Sequence, residues 1–170
     1  MGGWKNYNIN PAEYSKELCQ QINENFHQYE LFLKIRDRYW KKEEKTMSDS
    51  NSEVLYEIDN LMSEKVAKKL LIKSANSTKS NGTSTCSILI LDKSSGKLFS
   101  SHIGDSCYLI LRYDNNNSKF YKIFMSEEQM HSNLFNTPYQ IGKKGDEPEK
   151  AITHTHELKN NDLIILATDG

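Results

Sequence analysis

Residues 83–125 decide the fold; they read TSTCSILILDKSSGKLFSSHIGDSCYLILRYDNNNSKFYKIFM. Short apolar runs, several with a period of two, alternate here with clusters of Asp, Asn, Ser and Gly. Such clusters are typical of turns between strands. We predict four successive strands, at 83–91, 98–103, 106–112 and 119–125. The short turns between them make neighbouring strands antiparallel.

Two more strands are predicted after a mostly irregular stretch at 126–150. Residues 151–158 alternate again between polar and apolar side chains, and residues 159–162 (KNND) form a turn. Residues 163–168 read LIILAT. A continuous apolar run of this length is typical of a strand buried on both faces.

The first half of the chain has helical periodicity. We predict a helix over 10–40, because Asn10 is a capping residue, Pro11 suits a first turn, and apolar residues follow at spacings of three and four. That apolar stripe comprises Tyr14, Leu18, Ile22, Phe26, Tyr29 and Leu33. A second helix is predicted over 53–73, with polar connectors at 41–52 and 74–82.

These elements indicate an α+β protein with helices packed on sheet faces. We expect one domain, helical over about 1–80 and strand-rich over 81–170. The chain ends just after its most apolar strand and begins with Gly2-Gly3-Trp4. We therefore expect the 170 residues to be part of a longer domain.

Composition argues against several kinds of partner. Twenty-two basic and 23 acidic residues leave a net charge of −1, which provides no general attraction for nucleic acid. No apolar run is long enough to span a membrane. Three widely separated cysteines without a CxxC pair predict neither a disulfide framework nor a zinc finger, and fit a reducing compartment.

Two aspartates stand beside glycines at strand ends. Gly104-Asp105-Ser106 lies between two predicted strands, and Asp169-Gly170 follows another. A carboxylate held rigidly at a strand end is a good ligand for a hard cation such as Mg²⁺ or Mn²⁺, and an adjacent glycine permits close approach. The alternative is that each aspartate only closes an Asx turn.

The order of short motifs resembles the metal-dependent protein phosphatase 2C (PPM) family. Gly82-Thr83-Ser84-Thr85 is similar to its GST-type strand start, Ile103-Gly104-Asp105-Ser106 to its VGDS corner, and 163–170 to its ATDG strand. Residues 127–141 (EEQMHSNLFNTPYQI) resemble the signature of the branch that contains the T-cell-activation phosphatase homologues. Gly2-Gly3-Trp4 resembles the end of that branch's DGVGGW motif.

The resemblance implies a sandwich of two antiparallel β-sheets flanked by helices, incomplete at both ends of this chain. It implies a protein serine/threonine phosphatase that hydrolyses phosphoserine and phosphothreonine with water activated by two or more Mg²⁺ or Mn²⁺ ions. Asp169 matches the aspartate that ligates the metal pair, and Asp105 matches an aspartate that binds an additional metal. Gly104 and Gly170 match the glycines of these corners. No catalytic residue beyond the metal ligands is implied.

The chain also departs from the family pattern. The Asp-Gly pair expected before Gly2-Gly3-Trp4 is absent, and so is a last metal-binding aspartate expected beyond Asp169-Gly170. We therefore expect residues 1–170 to be inactive or nearly so as a separate polypeptide. The alternative function is a non-catalytic binding module, or pseudophosphatase. We expect an intracellular protein, cytoplasmic or mitochondrial.

Several other residues carry weaker signals. His131, Asn136 and Gln140 lie in the branch signature, either near a substrate entrance or in a loop that hydrogen-bonds to itself; the second is favoured. His154 and His156 share one face of a predicted strand and are expected to be surface residues. Cys86 and Cys107 are expected to be small core residues rather than nucleophiles.

Overall fold

The structure of the protein, a computed structural model, describes residues 10–43, 65–132 and 135–168. The described helices are α1 (Pro11–Glu43), α2 (Val66–Ser77) and a short 3₁₀ helix (Pro148–Lys150). The strands are β1 (Thr83–Ser84), β2 (Cys86–Asp92), β3 (Lys97–Ile103), β4 (Cys107–Asp114), β5 (Lys119–Met125), β6 (Ile141–Gly142), β7 (Ile152–Glu157) and β8 (Leu163–Ala167). The two α-helices precede every described strand.

The strands form two three-stranded antiparallel sheets and one small pair. The first sheet has the order β2-β3-β7, the second has the order β5-β4-β8, and β1 pairs with β6. The predicted strand over 83–91 is thus divided at Thr85 between two pairings. The predicted α+β fold of two antiparallel sheets with helices is confirmed.

Side-chain carboxylates close the turns of both hairpins. Asp92 accepts hydrogen bonds from Ser94 N at 2.9 Å and from the hydroxyls of Ser94 and Ser95 at 2.6 Å. Asp114 accepts one from Asn116 N at 2.9 Å. These bonds satisfy turn amides that pair with no neighbouring strand, so the Asp-rich turns fold as the sequence predicts.

Strand β3 is buried on both faces. Its residues Phe99 and Ile103 pack in the cluster that includes helix α2, while Leu98 packs with Tyr108 of the second sheet. The face toward the second sheet also carries Ser100, whose hydroxyl lies 2.7 Å from the Tyr108 hydroxyl. Since both faces are covered, every residue from Leu98 to Ile103 is buried.

Helix α1 begins where the sequence predicts. Asn10 Oδ1 accepts a hydrogen bond from Ala12 N at 3.1 Å, as an N-cap does. Tyr14 and Leu18 of the apolar stripe are buried against α2 and the first sheet. The contact between the helices also contains a buried polar pair, Asn25 Nδ2 to Ser74 Oγ at 3.1 Å.

That polar pair accounts for one difference from the predicted helix boundaries. Helix α2 continues to Ser77, four residues beyond the predicted end at residue 73, because Ser74 is a packed helical residue and not part of a polar connector. The predicted helical residues 53–64 lie outside the described residues. Within the described part of the chain, no helix is long and apolar enough to cross a membrane.

The prediction that His154 and His156 are surface residues is wrong. Both side chains face the second sheet, where the Phe124 ring lies 4.7 Å from His154 and 4.4 Å from His156 between centroids. His156 Nε2 is 2.8 Å from the Tyr108 hydroxyl. Fully buried His102 stacks on His154 at 6.1 Å. Three imidazoles therefore lie between the sheets, because β3 and β7 both turn alternate residues toward that layer.

The predicted burial of the LIILAT strand is also wrong for the described residues. Leu166 is 54% exposed, and Leu163 and Ile165 are exposed as well. Strand β8 is an edge strand, and the two α-helices pack on the other sheet. Ile164 is the residue of β8 that packs between the sheets.

The buried histidines predict a loss of stability in mild acid. Burial lowers the pKa of His102 and of His156. Below about pH 6.5 the unfolded chain then binds protons that the native state does not, so the free energy of unfolding falls as the pH falls. The loss is at most about 1.4 kcal/mol per histidine for each pH unit. Urea denaturation between pH 7.5 and 5 measures it.

The matched variants are His102→Gln and His27→Gln. His102→Gln should make the free energy of unfolding less dependent on pH. His27 lies on the surface of α1 with its side chain 65% exposed, so its variant should keep the wild-type dependence. If the free energy of unfolding changed equally with pH in the wild type and in both variants, the prediction would be contradicted.

Candidate metal-binding corner

The predicted metal-binding residue Asp105 lies in the tight corner between β3 and β4. Gly104 is buried and has a φ of +103°, a backbone conformation that side chains with a Cβ atom rarely adopt. The carboxylate of Asp105 is half-buried at this corner. The corner thus places Asp105 on a tight turn between two strands.

Packing explains why the corner contains glycine. A Cβ atom on Gly104 would lie 2.4 Å from Thr85 Cγ2 and 2.7 Å from the carbonyl oxygen of Tyr139. The hydroxyl of Thr85 also lies 3.0 Å from that of Ser106. The corner therefore lies directly against the 83–85 segment on one side and the backbone of 126–150 on the other.

Asp105 differs from the other aspartates whose side chains the structure describes. Each of the others accepts two or more hydrogen bonds: Asp92, Asp114, Asp146 and Asp162. Within the described residues, no donor bonds to the Asp105 carboxylate. The geometry therefore does not favour an Asx turn at Asp105, and it leaves both carboxylate oxygens available to an external ligand.

Segment 126–150 is anchored on this corner. Gln129 N donates to Gly104 O at 2.8 Å, and Tyr139 N donates to Gln129 O at 2.9 Å. The segment starts at buried Ser126, whose amide donates to Tyr108 O at 3.0 Å while Tyr108 N donates to its hydroxyl at 3.0 Å. The described parts of the predicted irregular stretch, 126–132 and 135–150, therefore pack beside Asp105.

A carboxylate inside the segment holds it together. Asp146, whose side chain is only 9% exposed, bonds to His131 Nε2 at 3.1 Å, Gln140 N at 3.1 Å and Lys150 Nζ at 3.0 Å. Burial by itself would raise the pKa of Asp146, but these hydrogen bonds outweigh it and lower the pKa. Asp146 is therefore an ionised carboxylate that ties three parts of the loop together.

The sequence analysis missed Asp146. A signal was present, because Gly145-Asp146 is another Gly-Asp pair in the chain. A Cβ atom on Gly145 would lie 2.2 Å from Gln140 O, so close backbone approach again requires glycine. Gly-Asp pairs thus occur at two corners, one with a free carboxylate and one with a carboxylate bonded within the loop.

Two of the signature residues, His131 and Gln140, are held by hydrogen bonds to Asp146 of the loop, as the favoured interpretation expects. Gln140 Oε1 accepts a hydrogen bond from Thr83 Oγ1, which joins the loop to β1. Asn136 has a φ of +52° in a turn, a conformation that asparagine tolerates. Burial raises the pKa of the Cys86 thiol to about 12, which makes it a poor nucleophile at neutral pH.

The other predicted ligand, Asp169, and its neighbour Gly170 lie outside the described residues. Strand β8 leads toward them, and Cys107 of β4 pairs with Ala167 of β8. Among the described residues there is no group of three or more side chains that could hold a metal ion. Asp105 suits one position in the coordination of a hard cation, and the described residues alone do not complete a site.

Several relatives of this chain are named protein phosphatases, although no family model matches it. The protein phosphatase PTC7 homolog of Homo sapiens is 26% identical over the whole chain and 48% of its own length. The homolog "fig" of Drosophila grimshawi is 36% identical over 52% of the chain and 29% of its own length. The 5-azacytidine resistance protein azr1 of Schizosaccharomyces pombe is 29% identical over the whole chain and 48% of its length.

A solved structure has the same fold. The X-ray structure of the photosystem II phosphatase PBCP superimposes with a TM-score of 0.64 at 24% identity, over 97% of this chain and 50% of that one. The motif order, the two-sheet fold and the PTC7 relatives all point to similarity with the metal-dependent protein phosphatases of the 2C type. The chain spans about half the length of the curated relatives that match it throughout.

The packing at the corner predicts a large effect of Gly104→Ala. The new methyl group would overlap Thr85 and the Tyr139 carbonyl in a backbone conformation that alanine disfavours. We expect the free energy of unfolding to fall by roughly 2–4 kcal/mol, measured by urea denaturation.

Gly96→Ala is the matched control. Gly96 has a φ of +68°, but its added Cβ would meet Leu158 O at an ordinary 3.5 Å. The free energy of unfolding should then fall by only about 1–2 kcal/mol, because alanine disfavours the positive φ. Equal losses in the two variants would contradict the close packing described for the Gly104 corner.

Proposed function

We propose that the protein to which these residues belong is a phosphoserine/phosphothreonine protein phosphatase that uses Mg²⁺ or Mn²⁺. The observation that carries the proposal is Asp105, a half-buried carboxylate on a rigid corner that no described donor engages. The family that the chain resembles and the names of its relatives support the same chemistry. A phosphorylated serine or threonine in an accessible loop of another protein would be the substrate.

The second metal-binding residue of the proposal is Asp169. In the β4–β8 register Cys107 faces Ala167, and Asp105 precedes Cys107 by as many residues as Asp169 follows Ala167. Continued pairing would bring the two aspartates to the same end of the sheet. This register supports a shared site, to which residues beyond the described ones must contribute further ligands.

The chain's own residues have two tasks in such a reaction. Asp105 provides a fixed negative charge for a cation, and the described parts of segment 126–150 pack against the corner through Gln129 and Tyr139. A bound Mg²⁺ or Mn²⁺ pair would supply charge for the phosphate oxygens and a water of lowered pKa. The proposed cytoplasmic or mitochondrial location of the protein rests on its composition and on the resemblance.

Turnover of a phosphothreonine peptide with Mn²⁺ tests the proposal. It should be measured on residues 1–170 and on the longest polypeptide with these residues that the gene encodes. We expect metal-dependent turnover in the longer polypeptide and little or none in residues 1–170. Asp105→Asn should lower turnover about 10- to 100-fold, because the amide keeps the shape of the carboxylate and loses its charge. Asp169→Asn should abolish turnover.

Glu149→Gln is the control, since Glu149 is an exposed acid of the 3₁₀ helix. It should retain wild-type turnover. Calorimetric titration of Mn²⁺ gives a second readout, in which Asp105→Asn binds more weakly than Glu149→Gln. A folded polypeptide without metal-dependent turnover would overturn the proposal and favour the non-catalytic binding module.

A further inference from the structure

One histidine beside the Asp105 corner has the surroundings of a proton donor. The side chain of His131 is 41% exposed, and its Nε2 is 3.1 Å from the buried carboxylate of Asp146. The ring of Tyr139 lies against it at 4.3 Å between centroids. Within the described residues, nothing bonds to Nδ1 of His131. The imidazole is thus oriented by a carboxylate at one nitrogen and open at the other.

The backbone brings His131 close to the corner. Gln129 N donates to Gly104 O at 2.8 Å, and His131 follows Gln129 by two residues, which span at most about 7 Å. The amide of His131 donates to Thr137 O at 2.9 Å, which holds the chain at this point. His131 therefore lies on the segment that is hydrogen-bonded to the Asp105 corner, and a phosphoprotein segment bound at Asp105 would lie beside it.

The other described histidines do not combine these properties. His27 lies on the surface of α1 beside Glu30. The remaining three, His102, His154 and His156, lie between the sheets. Exposure, an orienting carboxylate and a backbone link to Gly104 occur together in His131 alone among the described histidines.

We propose that His131 is the general acid of the phosphatase reaction, donating a proton from Nδ1 to the departing serine or threonine oxygen. This inference rests on the proposed function. A water oxygen forms the new bond to phosphorus, and the bond between phosphorus and the leaving oxygen breaks with its electron pair on that oxygen. The Nδ1 proton neutralises this oxygen, which leaves as the alcohol. The attacking water keeps one hydrogen on the product phosphate and releases its other proton to solvent, and the imidazole regains a proton from solvent.

Asp146 is the positioning residue in this scheme. Its ionised carboxylate keeps the hydrogen on Nε2 and faces the positive charge of the imidazolium that donates the proton. Lys150 bonds to the other carboxylate oxygen at 3.0 Å and lies 5.3 Å from the Tyr139 ring. Among the described residues, the titratable groups around the imidazole are thus Asp146, Lys150 and Tyr139.

Two substrates with different leaving groups separate proton donation from other roles. The oxygen of a threonine side chain is a poor leaving group and needs a proton, whereas p-nitrophenolate leaves without one. In the longest encoded polypeptide with Mn²⁺, His131→Gln should lower kcat for a phosphothreonine peptide about 10²-fold or more. Its kcat for p-nitrophenyl phosphate should change less than threefold.

The pH profile gives an independent signature. Because the proposed donor must carry its proton, wild-type kcat for the peptide should fall in alkaline solution, and His131→Gln should remove this fall. Asp146→Asn should lower kcat for the peptide to an intermediate value, because the imidazole remains but loses its orienting charge. His27→Gln is the control and should match the wild type with both substrates.

The outcomes distinguish the two proposals. Equal losses of kcat with both substrates, or none, would overturn the role of His131 while the phosphatase function stands. Absence of metal-dependent turnover in the wild type would overturn both.

¹⁵N NMR of residues 1–170 adds a readout that needs no activity. Neutral His131 should carry its hydrogen on Nε2, and Asp146→Asn should shift this tautomer. Hydrogen on Nδ1 in the wild type would contradict the proposal.

Discussion

The rest of the structure depends on the burial of strand β3 on both faces. Helix α2 covers one face and the second sheet covers the other, so the strand can neither slip in register nor bend without exposing apolar surface on one side. At the end of this strand the chain must turn sharply into β4 to enter the other sheet. Gly104 makes that turn possible, and the position of Asp105 follows from it. A rigid site thus arises from a packing requirement.

The layer between the sheets is more polar than a hydrophobic core usually is. His102, His154 and His156 lie there with the hydroxyls of Tyr108 and Ser100, and burial lowers the pKa of His102 and of His156, which favours their uncharged forms. His102 Nε2 is 2.9 Å from the carbonyl oxygen of Glu127, at the start of segment 126–150. The same layer therefore supports both the sheet packing and the segment that covers the corner.

Most of the fold could be predicted from periodicity and turn chemistry. The hairpin turns at Asp92 and Asp114 form because their carboxylates bond to amides two residues on, which is a local property of the sequence. Helix α1 begins at its predicted cap for the same reason. The surroundings of His154 and the exposure of Leu166 could not be predicted, because period-two alternation shows that residues share a face and does not show what covers that face.

The sequence by itself determined the class of fold, the resemblance to 2C-type phosphatases and the position of Asp105 at a strand end, because each depends on short motifs and on local backbone preferences. Only the tertiary structure decided which aspartate is engaged and which is free. Asp146 and Asp105 both follow a glycine, yet Asp146 bonds to donors from residues 131, 140 and 150, which chain folding brings together. Contacts between distant residues decide such chemistry, and no spacing along the chain encodes them directly.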